Sequence, residues 1–374
     1  MPTLKSSPSE LAIHGGGPPA FAKRLPPFTA NVGDGVRFAA LAERMFVASE
    51  AVGTLVEEFE TAIASWLGVR SAIGFSSLPA AVRCVDRTIS SNGYRFLPAF
   101  GAEPFLAIDR VAMIDCEAET YGLAPGHLAG HLTADVGAVF AVHPLGRPCK
   151  VDEIESLCDE WSVPLFLYGH QALGSGYRGA MLGSFGRAEI IDLGRDQLVH
   201  ALDSAIVATD DDLLAYRLRA ARSEPYDGID QAMGDAAAAM GIANLESADG
   251  FVSENRRRFD AYRKCLQSVP GIRLLRHDFE STFQTVTIEV DPGQAGLSRD
   301  ALFNVLAAEN VGTSKPLEGA VPSSAPVASR AAASLLQLPS GPAATGEVIE
   351  AVCKLVELAI IRSLESPDPI HLAA

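Results

Sequence analysis

Residues Leu165 to Asp210 read LFLYGHQALGSGYRGAMLGSFGRAEIIDLGRDQLVHALDSAIVATD, and this stretch decides the fold. The short apolar run from Val163 to Leu167 predicts a buried strand, and the chain from Tyr168 to Gln171 then enters a loop. Ligands of open α/β sheets bind at the carboxyl ends of the strands. The side chains that follow this strand are therefore candidates for a functional site.

Composition limits the class of protein. The chain has 374 residues, of which 48% are hydrophobic and 20% charged, as in a large globular α/β protein. Its 46 acidic and 30 basic residues give a formal net charge of −16, which disfavours nucleic acid and anionic membranes as partners. No apolar run approaches the ~20 residues that span a bilayer, and the first residues lack the apolar core of a signal peptide. Six scattered cysteines without a C-x-x-C pair predict reduced thiols and a cytoplasmic location.

Strands and helices alternate along the first two thirds of the chain. A strand from Ser71 to Phe75 and a helix from Val151 to Trp161 belong to this pattern, which predicts a mainly parallel sheet. The Ala/Ser/Pro-rich span 320–333 predicts a loop or lid. The predicted division is a disordered amino terminus (1–10), a large α/β domain (11–250), a small carboxyl-terminal α/β domain (251–366) and a tail (367–374).

Several motifs resemble one known family. The run Gln171 to Gly174 (QALG), followed by Tyr177 to Gly179 (YRG), is similar to a segment of the DegT/DnrJ/StrS family of PLP-dependent sugar aminotransferases. Residues 142–148 (VHPLGRP) and 11–18 (LAIHGGGP) match further family motifs, and the resemblance spans roughly 11–365. It implies an aminotransferase fold type I, with a mainly parallel sheet of the seven-stranded type, a small carboxyl-terminal α/β domain, and a homodimer with its site at the subunit interface.

The same resemblance shows where this chain departs from the family. Gln197 falls at the lysine that bonds PLP, and an amide cannot form an imine. Tyr168 falls at the aspartate that pairs with the pyridine nitrogen, and Asp192 and Asp230 fall at contacts to the phosphate. The run Leu78 to Pro79 occupies the helix start that holds the phosphate in the family, and proline has no N–H to donate. These changes predict a protein without PLP, with PMP as a minority alternative.

The implied pocket still carries groups suited to acid–base chemistry near neutral pH. The residues predicted to be catalytic are His170, Tyr168, His200 and Asp192, although His170 could instead bond the backbone and Tyr168 could instead fill space. The spacing of Asp192, Asp196 and His200 would place three metal-capable groups on one face of a helix, but a solvated face or a non-helical loop is favoured. No metal site is predicted. The residues predicted to bind substrate are Ser76, Ser77, His143, Gln171, Arg195, Gln197 and Asp230.

Three functions remain open. The favoured hypothesis is a PLP-independent homologue of the sugar aminotransferases in specialised metabolism. It would carry out isomerisation, cyclisation, elimination or group transfer by acid–base chemistry on a small sugar-like or amino substrate. The first alternative is a non-catalytic partner or regulator of an active aminotransferase. The second is a PMP-using dehydratase, or an aminotransferase with a displaced catalytic residue, in which His200 serves. Titratable groups in the pocket favour an enzyme, because a scaffold would fill that space with apolar residues.

Overall fold

The structure is a computed structural model of the 374-residue chain, and each statement below concerns the residues that it describes. Those residues are 2–15, 17–46, 51–169, 171–226, 228–275, 281–316 and 321–365.

The strands and helices follow one another in a βα pattern and then in a second, smaller unit. The strands are β1 (Ser71–Phe75), β2 (Tyr94–Pro98), β3 (Val111–Ile114), β4 (Val136–His143), β5 (Leu165–Gly169), β6 (Gly176–Tyr177), β7 (Ala180–Met181), β8 (Ala188–Leu193), β9 (Ser204–Thr209), β10 (Ile272–Leu274), β11 (Val286–Val290) and β12 (Leu335–Leu338). The α-helices are α1 (Gly35–Arg44), α2 (Thr54–Leu67), α3 (Leu78–Thr88), α4 (Pro125–His131), α5 (Val151–Glu160), α6 (Asp212–Arg222), α7 (Asp235–Leu245), α8 (Ala248–Leu266), α9 (Pro292–Ala295), α10 (Arg299–Ala308), α11 (Pro326–Ser334) and α12 (Gly346–Glu365). Short 3-10 helices occupy Pro8–Glu10, Ala12–His14, Glu103–Phe105 and Pro144–Gly146.

The central sheet has seven strands in the order β1-β9-β8-β5-β4-β2-β3. Strand β9 pairs antiparallel with both of its neighbours, and all other neighbouring pairs are parallel. The predicted mainly parallel α/β sheet of the aminotransferase type is thereby confirmed. The parallel strands β4, β5 and β8 are adjacent, so the loops that follow them meet at one edge of the sheet.

Both faces of the sheet are covered, as the apolar character of its central strands requires. All eight residues of β4 are buried. Phe140 and Val142 pack on one face with side chains of α3 and α6, whereas Val139 and Ala141 pack on the other with side chains of α4 and α5. This alternation follows from the two-residue period of a strand.

A second unit is built on the antiparallel sheet β10-β11-β12. Its core joins side chains of that sheet to those of α8, α10 and α12. The segment before residue 11, which was expected to be disordered, lies against this unit: buried Lys5 forms an ion pair with fully buried Glu309 at 3.2 Å. The Glu309 carboxylate also accepts hydrogen bonds from Ala12 N and Ala20 N. The division into two domains stays a prediction, and its boundary near residue 250 falls inside α8.

The span 320–333 was predicted to be a loop or lid, and this prediction is wrong for the part that forms α11. Proline is well suited to the first turn of a helix, and Pro326 begins this one. The carboxylate of Asp115 then accepts hydrogen bonds from Val327 N and Ala328 N, each at 3.1 Å, and so replaces the missing cap. No helix in the described ranges has the length and apolar character needed to cross a membrane.

Candidate functional site

The candidate site lies where the loops after β4, β5 and β8 meet. Gly146 is held close to the loop after β5: its φ is 72°, and a Cβ atom there would come within 2.7 Å of the carbonyl oxygen of Gln171. Gln171 itself has a left-handed backbone with φ of 58°. Strained backbone of this kind is often found where a side chain has to be aimed at a functional site.

Gln197 is at the centre of the site and is fully buried. Its amide nitrogen donates hydrogen bonds to Asp192 Oδ2 and Asp196 Oδ1, both at 3.2 Å. Its amide oxygen accepts from Gln171 N at 3.1 Å. One neutral amide therefore bridges two carboxyl groups, which we call the carboxylate pair (Asp192 and Asp196).

The carboxylate pair has no lysine or arginine partner among the residues that the structure describes. Among the described residues, no lysine or arginine forms an ion pair with Asp192 or Asp196. Burial and the nearby charge of Asp196 raise the pKa of Asp192 to about 6. A hydrogen bond from Gly194 N acts in the opposite direction but does not outweigh them. Two like charges with little solvent disfavour double ionisation. Asp192 is thus able to gain or lose a proton near neutral pH.

Amide side chains connect this site to the second unit. Gln171 Nε2 donates to Asp196 Oδ2 at 3.2 Å, while Gln171 Oε1 accepts from Gln337 Nε2 at 3.1 Å and from Thr285 Oγ1 at 3.3 Å. Gln284 Nε2 donates to the carbonyl oxygen of Asp196, and the buried Gln284 Oε1 has no partner among the described residues. Gln284, Thr285 and Gln337 were not among the residues predicted from the sequence. A polar residue within the apolar run LLQL of β12 was the available signal for Gln337.

Tyr168 lies beneath the site, in the core. It is 2% exposed, and its ring packs edge-on against Phe105 at a centroid distance of 5.6 Å. Burial, and then the charge of Asp192, raises the pKa of its phenol well above the usual value. The phenol is therefore neutral, and this placement matches the space-filling alternative. A catalytic role for Tyr168 stays a prediction.

His143 is also buried under the site. Its Nδ1 accepts a hydrogen bond from Cys149 N at 3.2 Å, and its Nε2 lies 3.6 Å from Glu189 Oε1. Burial lowers the pKa of His143 to about 3 and raises the pKa of Glu189 to about 8. Both groups are uncharged at neutral pH, and a substrate-binding role for His143 stays a prediction.

For four of the other predicted residues, the structure shows the following contacts and exposure. His200 is buried, its carbonyl oxygen accepts a hydrogen bond from Asn244, and burial lowers the pKa of its ring. Arg195 is exposed. Ser76 Oγ donates to the carbonyl oxygen of Asp230 at 3.1 Å. Ser77 Oγ accepts from Ala80 N and caps α3, and His170 lies outside the described residues.

The segment with Asp192, Asp196 and His200 is not a helix, because Asp192 lies in β8, which ends at Leu193, and the following residues form a turn and bends. Within the described chain, no group of three or more His, Cys, Asp or Glu side chains could hold a metal ion.

Comparison with known proteins assigns the chain to a family. The sequence model of the DegT/DnrJ/EryC1/StrS aminotransferase family matches residues 106–357, about two thirds of the chain. The chain belongs to this family. The resemblance stated from the motifs is confirmed.

Individual members of the family are similar over most of the chain. The structure of DesI, solved in the presence of its TDP-sugar product, has a TM-score of 0.88 and 30% identity, and the match covers 96% of this chain and 98% of DesI. EpsN of Bacillus subtilis (strain 168), assigned as a PLP-dependent aminotransferase, is 27% identical over 60% of this chain. That match spans 64% of the length of EpsN. GDP-perosamine synthase of Escherichia coli O157:H7 is 24% identical over 65% of this chain and 71% of its own.

These comparisons contradict the prediction that the protein has no cofactor. Similar folds include a sugar aminotransferase from Streptococcus pneumoniae in its PMP form and an E. coli dehydratase with bound hydrated PLP. PLP and PMP thus occur in proteins of this fold, and EpsN, a relative at 27% identity, is assigned as PLP-dependent. The prediction was wrong because it took the loss of particular contacts as the loss of the cofactor.

The described residues do not fit PLP in the manner that the resemblance implies. Residue 197 is an amide that is already bonded to the carboxylate pair, so any PLP or PMP here is held without a covalent bond to this position. Tyr168, packed in the core, supplies no carboxylate to a pyridine nitrogen. Pro79 at the start of α3 donates no N–H to a phosphate.

Proposed function

We propose that this protein is an enzyme that modifies a small sugar-like substrate, with Asp192 as its acid–base group. The observation that carries the proposal is the carboxylate pair bridged by the amide of Gln197. A general acid–base group is most effective when its pKa lies near the working pH, and a pKa of about 6 meets that requirement. Carboxyl groups with a raised pKa are concentrated at functional sites.

The surrounding side chains suit a substrate that is rich in hydroxyl groups. Gln171, Gln197 and Gln284 are amides, which both donate and accept hydrogen bonds. The buried oxygen of Gln284, which has no partner among the described atoms, offers an acceptor to such a hydroxyl. Family members act on nucleotide-linked sugars, as the TDP-sugar product of DesI illustrates. We therefore infer a sugar-like substrate, and isomerisation, cyclisation, elimination and group transfer all need the proton transfer that Asp192 can provide.

The test is turnover of a substrate panel by the full-length protein. The panel consists of TDP- and GDP-linked keto sugars and amino sugars, each incubated with and without PLP, PMP and an amino donor, with products identified by mass spectrometry. We expect turnover of at least one member, and we expect Asp192→Asn to lower its kcat about 100-fold or more, the usual size of a lost acid–base group. Asp212→Asn, at an exposed aspartate on α6, is the matched control and should leave kcat unchanged.

Two results would count against the proposal. If Asp192→Asn converts a substrate as fast as the wild type does, the carboxylate pair is not the acid–base group. Binding of panel members without any turnover would favour the non-catalytic partner of an active aminotransferase, which pull-down experiments would then identify.

We also propose that the protein is a homodimer with its site at the subunit interface. Val52 is fully exposed, Phe46 is 84% exposed and Ile229 is 62% exposed, and large apolar side chains on a surface often mark an interface. Light scattering coupled to gel filtration gives the mass directly, and a monomer of 39.4 kDa would contradict this proposal.

The free state of all six cysteines favours a cytoplasmic location, and the family favours a role in specialised metabolism.

A further inference from the structure

A cavity of about 200 Å³ lies beside the turn between β4 and α5, apart from the carboxylate pair. Arg147, Cys149 and Lys150 of that turn line it, together with Thr120 and the hairpin residues Tyr177 and Arg178. Its volume is sufficient for a small charged group such as phosphate or a carboxylate.

Arg147 is the unusual member of this lining. Only 9% of this residue is exposed, and its buried Nη1 atom has no hydrogen-bond partner among the described residues. No carboxylate of the described chain forms an ion pair with it, whereas the other buried arginines, Arg95 and Arg299, are bonded to aspartates. A buried charge without a partner destabilises a protein strongly, so such a group normally has a counter-ion.

The charges of Glu117 and Glu119 act on Arg147, but neither carboxylate forms an ion pair with it in the described chain. The carboxylate of Glu117 is engaged, because it accepts hydrogen bonds from Thr120 Oγ1, Thr120 N and Glu119 N. Asp152 is paired with Arg178. Glu119 and Glu153, which also line the cavity, are exposed at its rim, where solvent screens their charges.

The remaining inner wall is neutral. Burial raises the pKa of the Cys149 thiol, so that the thiol stays protonated. Burial also raises the pKa of the Tyr177 phenol. Burial lowers the pKa of Arg147, but an arginine keeps its charge in a protein. The cavity therefore presents one buried cation, and Lys150 also lines it.

From this arrangement we infer that the cavity is a binding site for an oxyanion, the phosphate or carboxylate group of a small-molecule ligand, held by Arg147 and Lys150. A guanidinium group offers parallel N–H donors that match two oxygens of a phosphate or carboxylate. The inference is independent of the proposed function, because it uses none of the residues of the carboxylate pair.

The test compares the thermal stability of the full-length protein with and without added anion at constant ionic strength. The probes are inorganic phosphate and citrate, with chloride as the reference salt. We expect a saturable rise in Tm with phosphate or citrate at about 10 mM or below, since binding to the folded state alone stabilises it. Saturation by phosphate assigns the site to phosphorylated ligands, and saturation by citrate alone assigns it to carboxylates. The absence of saturable stabilisation by either anion would overturn the inference.

Two variants separate binding from folding. Arg147→Met should remove the anion-dependent rise in Tm, with at least a tenfold loss of affinity by calorimetry, and should raise the Tm of the anion-free protein because an unpaired buried charge is gone. Arg178→Gln is the matched control in the same cavity, and its affinity should change less than threefold because Arg178 already pairs with Asp152. If Arg147→Met lowers the anion-free Tm, or if it binds phosphate as the wild type does, Arg147 is a structural residue and the inference is wrong.

Discussion

Replacement of Asp192 by asparagine should make the folded protein more stable above pH 6, which is the opposite of the usual effect of a mutation. The pKa of Asp192 rises from the ordinary 3.8 to about 6 on folding, chiefly through burial and the charge of Asp196. Between about pH 4 and pH 6, the unfolded chain releases this proton while the folded chain keeps it. The contribution of Asp192 to stability therefore falls as the pH rises through this window, and it stays at its lowest value above the window.

The size of the effect follows from the change in pKa. Each pKa unit corresponds to about 1.36 kcal/mol, so the ionised carboxylate lowers the stability of the folded state by up to about 3 kcal/mol at pH 8. The asparagine removes that penalty. It has only one side-chain oxygen, however, whereas the carboxylate accepts from both Gly194 N and Gln197 Nε2, so one hydrogen bond is lost at a cost of about 1 kcal/mol. We expect Asp192→Asn to be more stable than the wild type by about 2 kcal/mol at pH 8 and slightly less stable at pH 4.

Urea unfolding followed by circular dichroism at the two pH values measures this difference, provided that the m-values of the two proteins agree. Asp212→Asn is again the control, and it should change the stability by less than about 0.5 kcal/mol at either pH. A variant that is less stable than the wild type at pH 8, or a difference that does not depend on pH, would refute the raised pKa. A carboxylate that serves function at the expense of stability should behave in this way: its replacement makes the protein more stable and less active.

Two further predictions concern the parts that hold the carboxylate pair in place. Gln197→Leu should destabilise the protein by roughly 1–3 kcal/mol in urea unfolding, because both carboxyl groups then lose a buried donor; a stability equal to that of the wild type would contradict the bridging geometry. Gly146→Ala should destabilise the protein more than Gly179→Ala does. Both glycines have left-handed φ values, but only the Cβ atom at position 146 would clash, at 2.7 Å from Gln171 O, because the space around position 179 is open. Equal effects of the two alanines would mean that the close approach to Gln171 is unimportant.

The sequence predicted the frame of the molecule well because the frame depends on local patterns. Apolar runs such as Val163 to Leu167 specify buried strands, and the motif around Gln171 to Gly174 was sufficient to identify the family and its sheet. The sequence also predicted Gln197 and Asp192 as site residues. The prediction of a loop or lid failed where α11 begins at Pro326, because that helix is capped by Asp115, a residue more than 200 positions earlier in the chain.

The amino-acid sequence by itself determined the family, the mainly parallel sheet and the absence of an amine at position 197. Only the tertiary structure decided that Gln197 bridges Asp192 and Asp196. It also decided that Gln284 of the second unit bonds the carbonyl oxygen of Asp196 and that Gln337 bonds the side chain of Gln171. The fold further decided how far each charge is removed from solvent, as the contrast between half-buried Asp192 and exposed Arg195 shows. The physical reason is that strand and helix patterns arise between near neighbours in the chain. Desolvation and hydrogen bonding at a site depend on segments that only the fold brings together.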